Sequence, residues 1–149
     1  MKKQILMMTA LLVASLVGAQ RFTTEQEAIK NVVQTAYIDG LQNQGDKEKI
    51  EAGFHPDFYL LGVGENGEMW KRSITEWKAN SIKKKEDGTF PLKGDKKVTA
   101  EYKSIDITGN AAMVKLYYYV GGKHIYTDYL SLYKFGSNWK IVNKIFHKL

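Results

Sequence analysis

The sequence predicts an α+β fold in which three helices lie on one side of a curved, mainly antiparallel sheet. Three stretches begin with a helix-capping residue and continue with apolar residues at helical spacing. From Val98 onward, apolar and polar residues alternate with the period of a β-strand, and short glycine-containing breaks interrupt the alternation. The predicted order of elements is therefore α-α-β-β-α-β-β-β-β.

Capping and stop signals define the three helices. The first is predicted over residues 24–40, because residues 24–27 form a capping-box pattern and Gly40 is a typical helix stop. The second runs from an N-cap at Asp46 to Gly53. The third opens with another capping box at residues 73–76 and continues to about residue 82, where a charged loop over residues 83–97 begins.

Six strands follow from the alternating segments. Residues 58–63 and 68–72 predict a hairpin around Asn66-Gly67, which is a favoured two-residue turn. Four more strands form a meander from Val98 to the C-terminus. The breaks between these four strands are predicted at residues 108–110, 121–122 and 136–138.

The last hairpin, over residues 126–149, is apolar on both faces. One face is predicted to carry Asp128 and Leu130, and the other to carry Tyr129, Tyr133, Ile141 and Ile145. A sheet with one solvated face alternates more cleanly than this, so we expect both faces to be covered. The cross-strand pairs expected from the turn are Asp128 with Phe146, Leu130 with Lys144, and Leu132 with Val142.

The N-terminus predicts a secretory signal peptide at residues 1–19, followed by one domain at residues 20–149. Lys2 and Lys3 precede the apolar run 5–17, and small residues at 17–19 provide a cleavage site. The apolar run is short for a membrane span, and no second one follows. We therefore expect an exported protein, periplasmic or extracellular, with no membrane span after cleavage.

Composition narrows the expected chemistry. The chain has no cysteine, which excludes disulfides and a lipid-modified cysteine. Loss of Lys2 and Lys3 with the signal peptide lowers the formal net charge from +6 to +4, a modest excess. The lysines of residues 83–97 are typical of a solvated loop, so no nucleic-acid partner is predicted. No pair of histidines stands with a carboxylate at metal-ligand spacing, and neither a metal nor a cofactor is predicted.

Two segments carry a resemblance to a known family. They are GDKEKIEAGFHPDF at residues 45–58 and the hairpin TDYLSLYKF…NWKIVNKIF at residues 127–146. With the element order, they make nearly all of residues 22–149 resemble the nuclear transport factor two-like superfamily, and within it the secreted bacterial proteins of the putative lumazine-binding family. The resemblance implies a cone-shaped α+β barrel enclosing a pocket, often with homodimers formed through the sheet. The superfamily includes isomerases, dehydratases and SnoaL-like polyketide cyclases beside binding modules, so the fold leaves the function open.

Asp128 is the first candidate site residue. A two-residue turn at Gly121-Gly122 would place Asp128 opposite Lys115, with Lys144 diagonally adjacent on the other side. If this face lines the pocket, the three charges could hold a polar ligand or transfer a proton. The alternative is a cross-strand salt bridge on an exposed or dimer-forming face.

Ketosteroid isomerase provides a comparison within the resemblance. Its pocket strand carries an Asp-x-Phe-x-Phe pattern, and Asp128-x-Leu130-x-Leu132 looks similar. Tyr37 falls close to the helical tyrosine of that enzyme. The general-base aspartate has no acidic counterpart near Gly62, and the resemblance therefore argues against isomerase chemistry.

The remaining candidates stand near the expected opening of the cone. His55 follows the second helix and could act as an acid or base, although a histidine beside proline also suits a structural or exposed role. Tyr59, Trp70 and Trp77 could form an aromatic wall for a flat organic ligand. The alternative for these three aromatic residues is packing in the core.

Tyrosines on both faces of the meander indicate that the face away from the helices contacts a partner. We expect that partner to be a second copy of the chain, in a homodimer formed through the sheet.

Three functions remain open at this point. The first is a non-catalytic protein that binds a small organic molecule, or an accessory protein. The second is an enzyme that uses Asp128 with His55 or Tyr37 for proton transfer. The third is an interaction module with a vestigial pocket.

Overall fold

The computed structural model describes residues 22–149, and the predicted signal peptide at residues 1–19 lies outside them. Within the described chain, the predicted order of helices and strands is confirmed. The helices are α1 (Thr24–Val32), continued by a π-helical segment (Val33–Gln44), α2 (Lys47–Gly53) and α3 (Ile74–Glu86), with a 3-10 turn at Gly94–Lys96. The strands are β1 (Phe54–Val63), β2 (Met69–Ser73), β3 (Val98–Thr108), β4 (Ala111–Val120), β5 (Lys123–Phe135) and β6 (Asn138–Lys148).

The first helix differs from its prediction at both ends. Its capping box is formed by Thr23 and Gln26, one residue earlier than predicted. The predicted stop at Gly40 is wrong, because the helix continues to Gln44 and ends at Gly45, which adopts φ 59°. Gly40 serves close packing instead: a Cβ there would lie 2.9 Å from the Cβ of Lys49 on α2.

The other two helices begin at the predicted residues. The side chain of Asp46 accepts a hydrogen bond from the Lys49 amide, and Ser73 forms a capping box with Glu76. α3 extends beyond the predicted residue 82 to Glu86, so part of the predicted charged loop is helical. Lysines at residues 83–85 occupy the last turn, where positive charge stabilises the helix dipole.

The sheet has six strands in the order β2-β1-β6-β5-β4-β3. All neighbours are antiparallel except β1 and β6, which run parallel. The sheet is curved and forms the predicted cone-shaped α+β fold, but it does not close within the described residues, because β2 and β3 lie at its two edges. No helix of residues 22–149 combines the length and apolar character needed to cross a membrane.

The register of the last hairpin is partly as predicted. The pairs Asp128 with Phe146 and Leu130 with Lys144 are confirmed. The third pair is wrong: Leu132 lies opposite Ile141, because an irregularity between Ser131 and Leu132 shifts the register by one residue. Ile141 therefore turns to the inner face, where it is fully buried, and not to the outer face as predicted.

The core lies between the helices and the concave face of the sheet. Its fully buried members include Ile29, Ile38, Leu41, Phe58, Leu116, Leu130 and Ile141. On the convex face, in contrast, Met113, Tyr133 and Ile145 remain 45%, 49% and 49% exposed. The helices thus cover one of the two apolar faces, and nothing in the described part of the single chain covers the other.

Candidate functional site

Three polar side chains meet inside the cone. Tyr37 comes from the π-helical segment, Asp128 from β5 and Lys144 from β6. Asp128 faces inward because it lies two residues before the buried Leu130 and therefore shares its face, and Lys144 lies diagonally from Asp128 because it pairs with Leu130. Tyr37, Asp128 and Lys144 are called the polar triad below.

The polar triad is closed to solvent. Relative exposure is 1% for Tyr37, 0% for Asp128 and 5% for Lys144. The Tyr37 hydroxyl donates a 2.8 Å hydrogen bond to Asp128 Oδ2. Lys144 Nζ lies 2.9 Å from Asp128 Oδ1. The contact between the two charges is therefore a buried ion pair.

Aromatic rings take the place of water around the Lys144 ammonium. Its Nζ lies 4.8 Å from the ring centre of Phe146, 5.2 Å from that of Tyr37 and 5.8 Å from that of Trp77. Cation–π attraction of this kind is strongest where the cation is desolvated. The three rings and Asp128 together stabilise a charge that burial alone would disfavour.

Burial shifts the pKa of every member of the polar triad in the direction that favours its neutral form. Desolvation raises the pKa of Asp128 above its ordinary value, although the attraction of Lys144 opposes the shift. Desolvation lowers the pKa of Lys144, against the attraction of Asp128. Desolvation, and then the charge of Asp128, raises the pKa of Tyr37 well above its usual range. Tyr37 is therefore a hydrogen-bond donor at neutral pH.

Lys115 does not join this cluster, and the predicted pairing of Lys115 with Asp128 is wrong. The turn at Gly121-Gly122 is where the sequence predicts it, but an irregularity at Ile125 shifts the register by one residue. Leu116 therefore lies opposite Asp128, and Lys115 points to the other face, with its Nζ 5.6 Å from the ring centre of Tyr129.

A cavity of about 510 Å³ opens beside the polar triad. It lies between the π-helical segment, α3, the segment that follows α3, and strands β2, β3 and β4. Its apolar and aromatic walls include Leu41, Trp77, Phe90, Leu92, Tyr118 and Val120. Charged side chains also line it, namely Arg72, Lys83, Lys84, Asp87 and Lys96. We call this space the mouth cavity.

An aromatic wall separates the mouth cavity from the polar triad. Trp77 and Tyr118 line the cavity, and their ring centres lie 5.9 Å and 6.3 Å from that of Tyr37. The hydroxyl of Tyr118 donates a 3.0 Å hydrogen bond to Gln42, which also lines the cavity. Neither Asp128 nor Lys144 is among the described residues that line it.

Of the three aromatic residues predicted to form a wall, Trp77 alone lines the mouth cavity. Tyr59 is on the opposite face of the sheet, where Lys71 lies over its ring at 5.0 Å, so its predicted place in the wall is wrong. Trp70 lies on the concave side at the sheet edge, above Gly62 and 6.0 Å from the ring centre of Phe146.

His55 lies apart from both features. Its ring stacks on Phe135 at 4.8 Å, and its Nδ1 accepts a 3.2 Å hydrogen bond from the Asp57 amide. These contacts give His55 a structural role at the start of β1. The structure does not bring it to Asp128 or Tyr37.

Sequence reasoning missed much of the mouth cavity. The segment after α3 was predicted as a solvated loop, yet Phe90 is only 6% exposed and Leu92 is half-buried. Asn43 holds this segment in place: its backbone carbonyl accepts from the Leu92 amide, and its side chain bonds both the amide and the carbonyl of Val98. Two large apolar residues within a lysine-rich stretch were the available signal.

Comparison with known proteins identifies a family and a shared fold. The family model described as putative lumazine-binding matches residues 24–147. None of the curated proteins matches the chain.

The solved structures that are similar in fold include three that are each described as a nuclear transport factor two-like protein of unknown function. The one from Shewanella baltica is 24% identical, covers 87% of this chain and 98% of its own, and has a TM-score of 0.62. The one from Silicibacter pomeroyi is 22% identical, with 86% and 100% covered and a TM-score of 0.66. The one from Methylobacillus flagellatus is 23% identical, with 87% and 96% covered and a TM-score of 0.58. At these identities the likeness shows the fold alone.

Proposed function

This chain belongs to the putative lumazine-binding family of nuclear transport factor two-like proteins, and we propose that it is an exported, non-catalytic protein that binds a small, flat organic molecule in the mouth cavity. The observation that carries the proposal is the cavity of about 510 Å³ walled by Trp77, Phe90 and Tyr118. Ligand pockets typically have this size and combine apolar walls with a few polar groups. Aromatic side chains suit the faces of a flat ligand.

The polar triad supports a non-catalytic reading. Tyr37 and Lys144 both engage Asp128, and the rings of Trp77 and Tyr118 stand between these groups and the mouth cavity. A catalytic base must come within hydrogen-bond reach of the proton that it abstracts. In the proposed function, the triad instead supports the aromatic wall on the side away from the cavity, because Lys144 contacts the ring of Trp77.

Proton transfer by Asp128 and Tyr37 is the second candidate, and the 2.8 Å hydrogen bond between them favours it. Such an enzyme would belong with the dehydratases, isomerases and cyclases of the superfamily. It requires the aromatic wall to open so that a ligand reaches Asp128, which is 0% exposed. We therefore rank it below simple binding.

Export and dimerisation complete the proposal. Export rests on the basic start, apolar run and small residues at positions 1–19. Pairing of two copies through the convex face of the sheet would cover Met113, Tyr133 and Ile145. The third candidate, an interaction module without a ligand, keeps the dimer and gives the mouth cavity no occupant.

Phenylnaphthylamine tests the binding site, because this neutral, flat dye fluoresces when it enters an apolar cavity. We expect the wild-type protein to bind it, and Asn80→Trp to lower its affinity on the order of 10-fold or more, since Asn80 lines the mouth cavity and a larger side chain there fills it. Ala79→Trp is the matched control, because Ala79 is the exposed neighbour on the same helix. Equal affinity in the wild type and Asn80→Trp would contradict the proposed site.

A further inference from the structure

Cationic side chains predominate around the mouth cavity. Arg72, Lys83, Lys84 and Lys96 line it, against a single carboxylate, that of Asp87. Lys84 Nζ also lies 5.4 Å from the ring centre of Phe90, so one of these charges stands directly beside an aromatic wall. A cavity with this lining carries a positive potential, which draws negative charge toward it.

Within the described part of the chain, no salt bridge neutralises the cations of the mouth cavity. Among residues 22–149, no carboxylate lies within 4.0 Å of Arg72, Lys83, Lys84 or Lys96. Asp87, the one acid in the lining, accepts a hydrogen bond from the amide of Thr89. Lysines elsewhere on the surface do form such pairs, for example Lys103 with Glu101 at 2.8 Å.

Helix stability explains only part of this arrangement. Lys83 and Lys84 occupy the last turn of α3, where they complement the helix dipole. The helix dipole does not explain Arg72, which lies on β2 opposite the buried Leu60 and therefore on the concave face. Lys96 belongs to the short 3-10 turn. Helix stability therefore does not explain why Arg72 and Lys96 line the cavity.

We propose that the ligand of the mouth cavity is an anion, namely a flat aromatic molecule that carries a carboxylate or another acidic oxygen group. This inference rests on the proposed binding function and adds its chemical class. The ring lies against Trp77 and Tyr118, and the acidic group meets Arg72 and Lys96. The planar guanidinium of Arg72 suits two parallel hydrogen bonds to such a group.

A matched pair of dyes separates charge from shape. Anilinonaphthalene sulfonate is phenylnaphthylamine with one added sulfonate, and both fluoresce in apolar surroundings. We expect the sulfonate to bind on the order of 10-fold more tightly at low ionic strength. Raising NaCl from about 20 mM to about 500 mM should remove most of this preference while leaving the neutral dye almost unchanged, because salt screens exposed charges.

Two double variants locate the effect. Arg72→Gln/Lys96→Gln should abolish the preference for the sulfonate over the neutral dye. Lys71→Gln/Lys97→Gln removes the same charge from the neighbouring residues, which do not line the cavity, and should retain the preference. Fluorescence titration and circular dichroism of all three proteins supply both the affinities and the check on folding.

The possible outcomes separate this inference from the proposed function. If both dyes bind equally and are excluded by Asn80→Trp, the cavity is a binding site and the anion preference is wrong. The same conclusion follows if Arg72→Gln/Lys96→Gln retains the preference. If Asn80→Trp excludes neither dye, or neither dye binds at all, the proposed site itself fails and the inference fails with it.

Discussion

Asp128 and Lys144 lie 2.9 Å apart and are closed to solvent, so each charge depends on the other for stabilisation. Strand alternation and the final turn predicted that these two side chains are diagonal neighbours. The face that Lys115 occupies could not be predicted, because β5 carries an extra residue at Ile125. This residue shifts the register between β4 and β5 by one position, and a shift of one position exchanges the faces of the paired side chains. The burial of Asp128 and Lys144 could not be predicted from the sequence either. Charge on a strand does not reveal whether the helices cover that face, and Tyr37 is 91 positions away from Asp128 along the chain.

Because the ion pair is buried, removal of either partner should be costly. We expect Asp128→Ala or Lys144→Met to lower the free energy of unfolding by about 3–5 kcal/mol, since each leaves an uncompensated polar group in the core. Asp128→Asn/Lys144→Met should lose much less than Lys144→Met alone, because it removes both charges and leaves Tyr37 an acceptor. Urea denaturation measures all of these values. Single losses below about 1 kcal/mol would place the pair among ordinary surface salt bridges.

The pH dependence of the same variants gives an independent readout. The raised pKa of Asp128 means that this group favours folding most below its ordinary value of 3.8 and loses that contribution as pH rises through its folded pKa. The lowered pKa of Lys144 has the opposite sign: its contribution is present above 10.5 and is lost as pH falls through its folded pKa. The stability of Asp128→Asn/Lys144→Met relative to the wild type should therefore be most favourable between the two folded pKa values.

At the scale of elements, capping chemistry predicted where α2 and α3 begin, because an N-cap side chain is read from the local sequence. Glycines were less informative. Gly40 and Gly45 look alike in sequence, yet Gly40 lies within the helix against α2, and Gly45 ends it in a left-handed conformation. The difference depends on which element packs beside each glycine, and the sequence does not contain that information.

Gly45 ends the first helix and packs against α3. A substitution at Gly45 should therefore test the contact between these two helices. A Cβ at Gly45 would collide with the backbone carbonyl of Ser81, in addition to the strain of φ 59°. We expect Gly45→Ala to destabilise the protein by about 2–4 kcal/mol, combining strain with overpacking. Gly88→Ala is the control, because Gly88 has φ 78° and open space around it, and should lose about 1 kcal/mol.

Ser81 also lines the mouth cavity, so the two glycine variants differ in a second respect. Displacement of Ser81 by Gly45→Ala should weaken the binding of phenylnaphthylamine, whereas Gly88→Ala should leave it unchanged. Thermal unfolding and dye titration provide the two measurements. Equal losses of stability in both variants would show that the contact between Gly45 and α3 carries no energy beyond backbone strain.

At the scale of the whole molecule, the cone was predictable because helical spacing, strand alternation and turn residues agree along almost the entire chain. The confirmed family resemblance added the curvature of the sheet, which local patterns do not determine. The mouth cavity was not predictable, since its walls come from six separate elements of the fold. Phe90 and Lys96 become wall residues only when Asn43 holds their segment against the helix and β3.

The uncovered face of the sheet leads to a prediction about assembly. Met113, Tyr133 and Ile145 are large, about half exposed and on the face that the helices do not cover, which is typical of an interface between two copies. Ile145→Lys places a charge at the centre of that face and should convert a dimer into a monomer without unfolding it. Ala28→Lys adds the same charge on the exposed side of α1 and should leave the dimer intact.

Native mass spectrometry of the protein purified from its own host measures the assembly directly, and any retained ligand adds its mass to the same spectrum. We expect the wild type and Ala28→Lys at twice the monomer mass, and Ile145→Lys at the monomer mass with its circular dichroism preserved. A monomeric wild type at micromolar concentration would overturn the dimer, because an interface of standard size holds at that concentration. The apolar convex face would then belong to contact with a different protein, whereas the mouth cavity, on the concave side, would keep its proposed role.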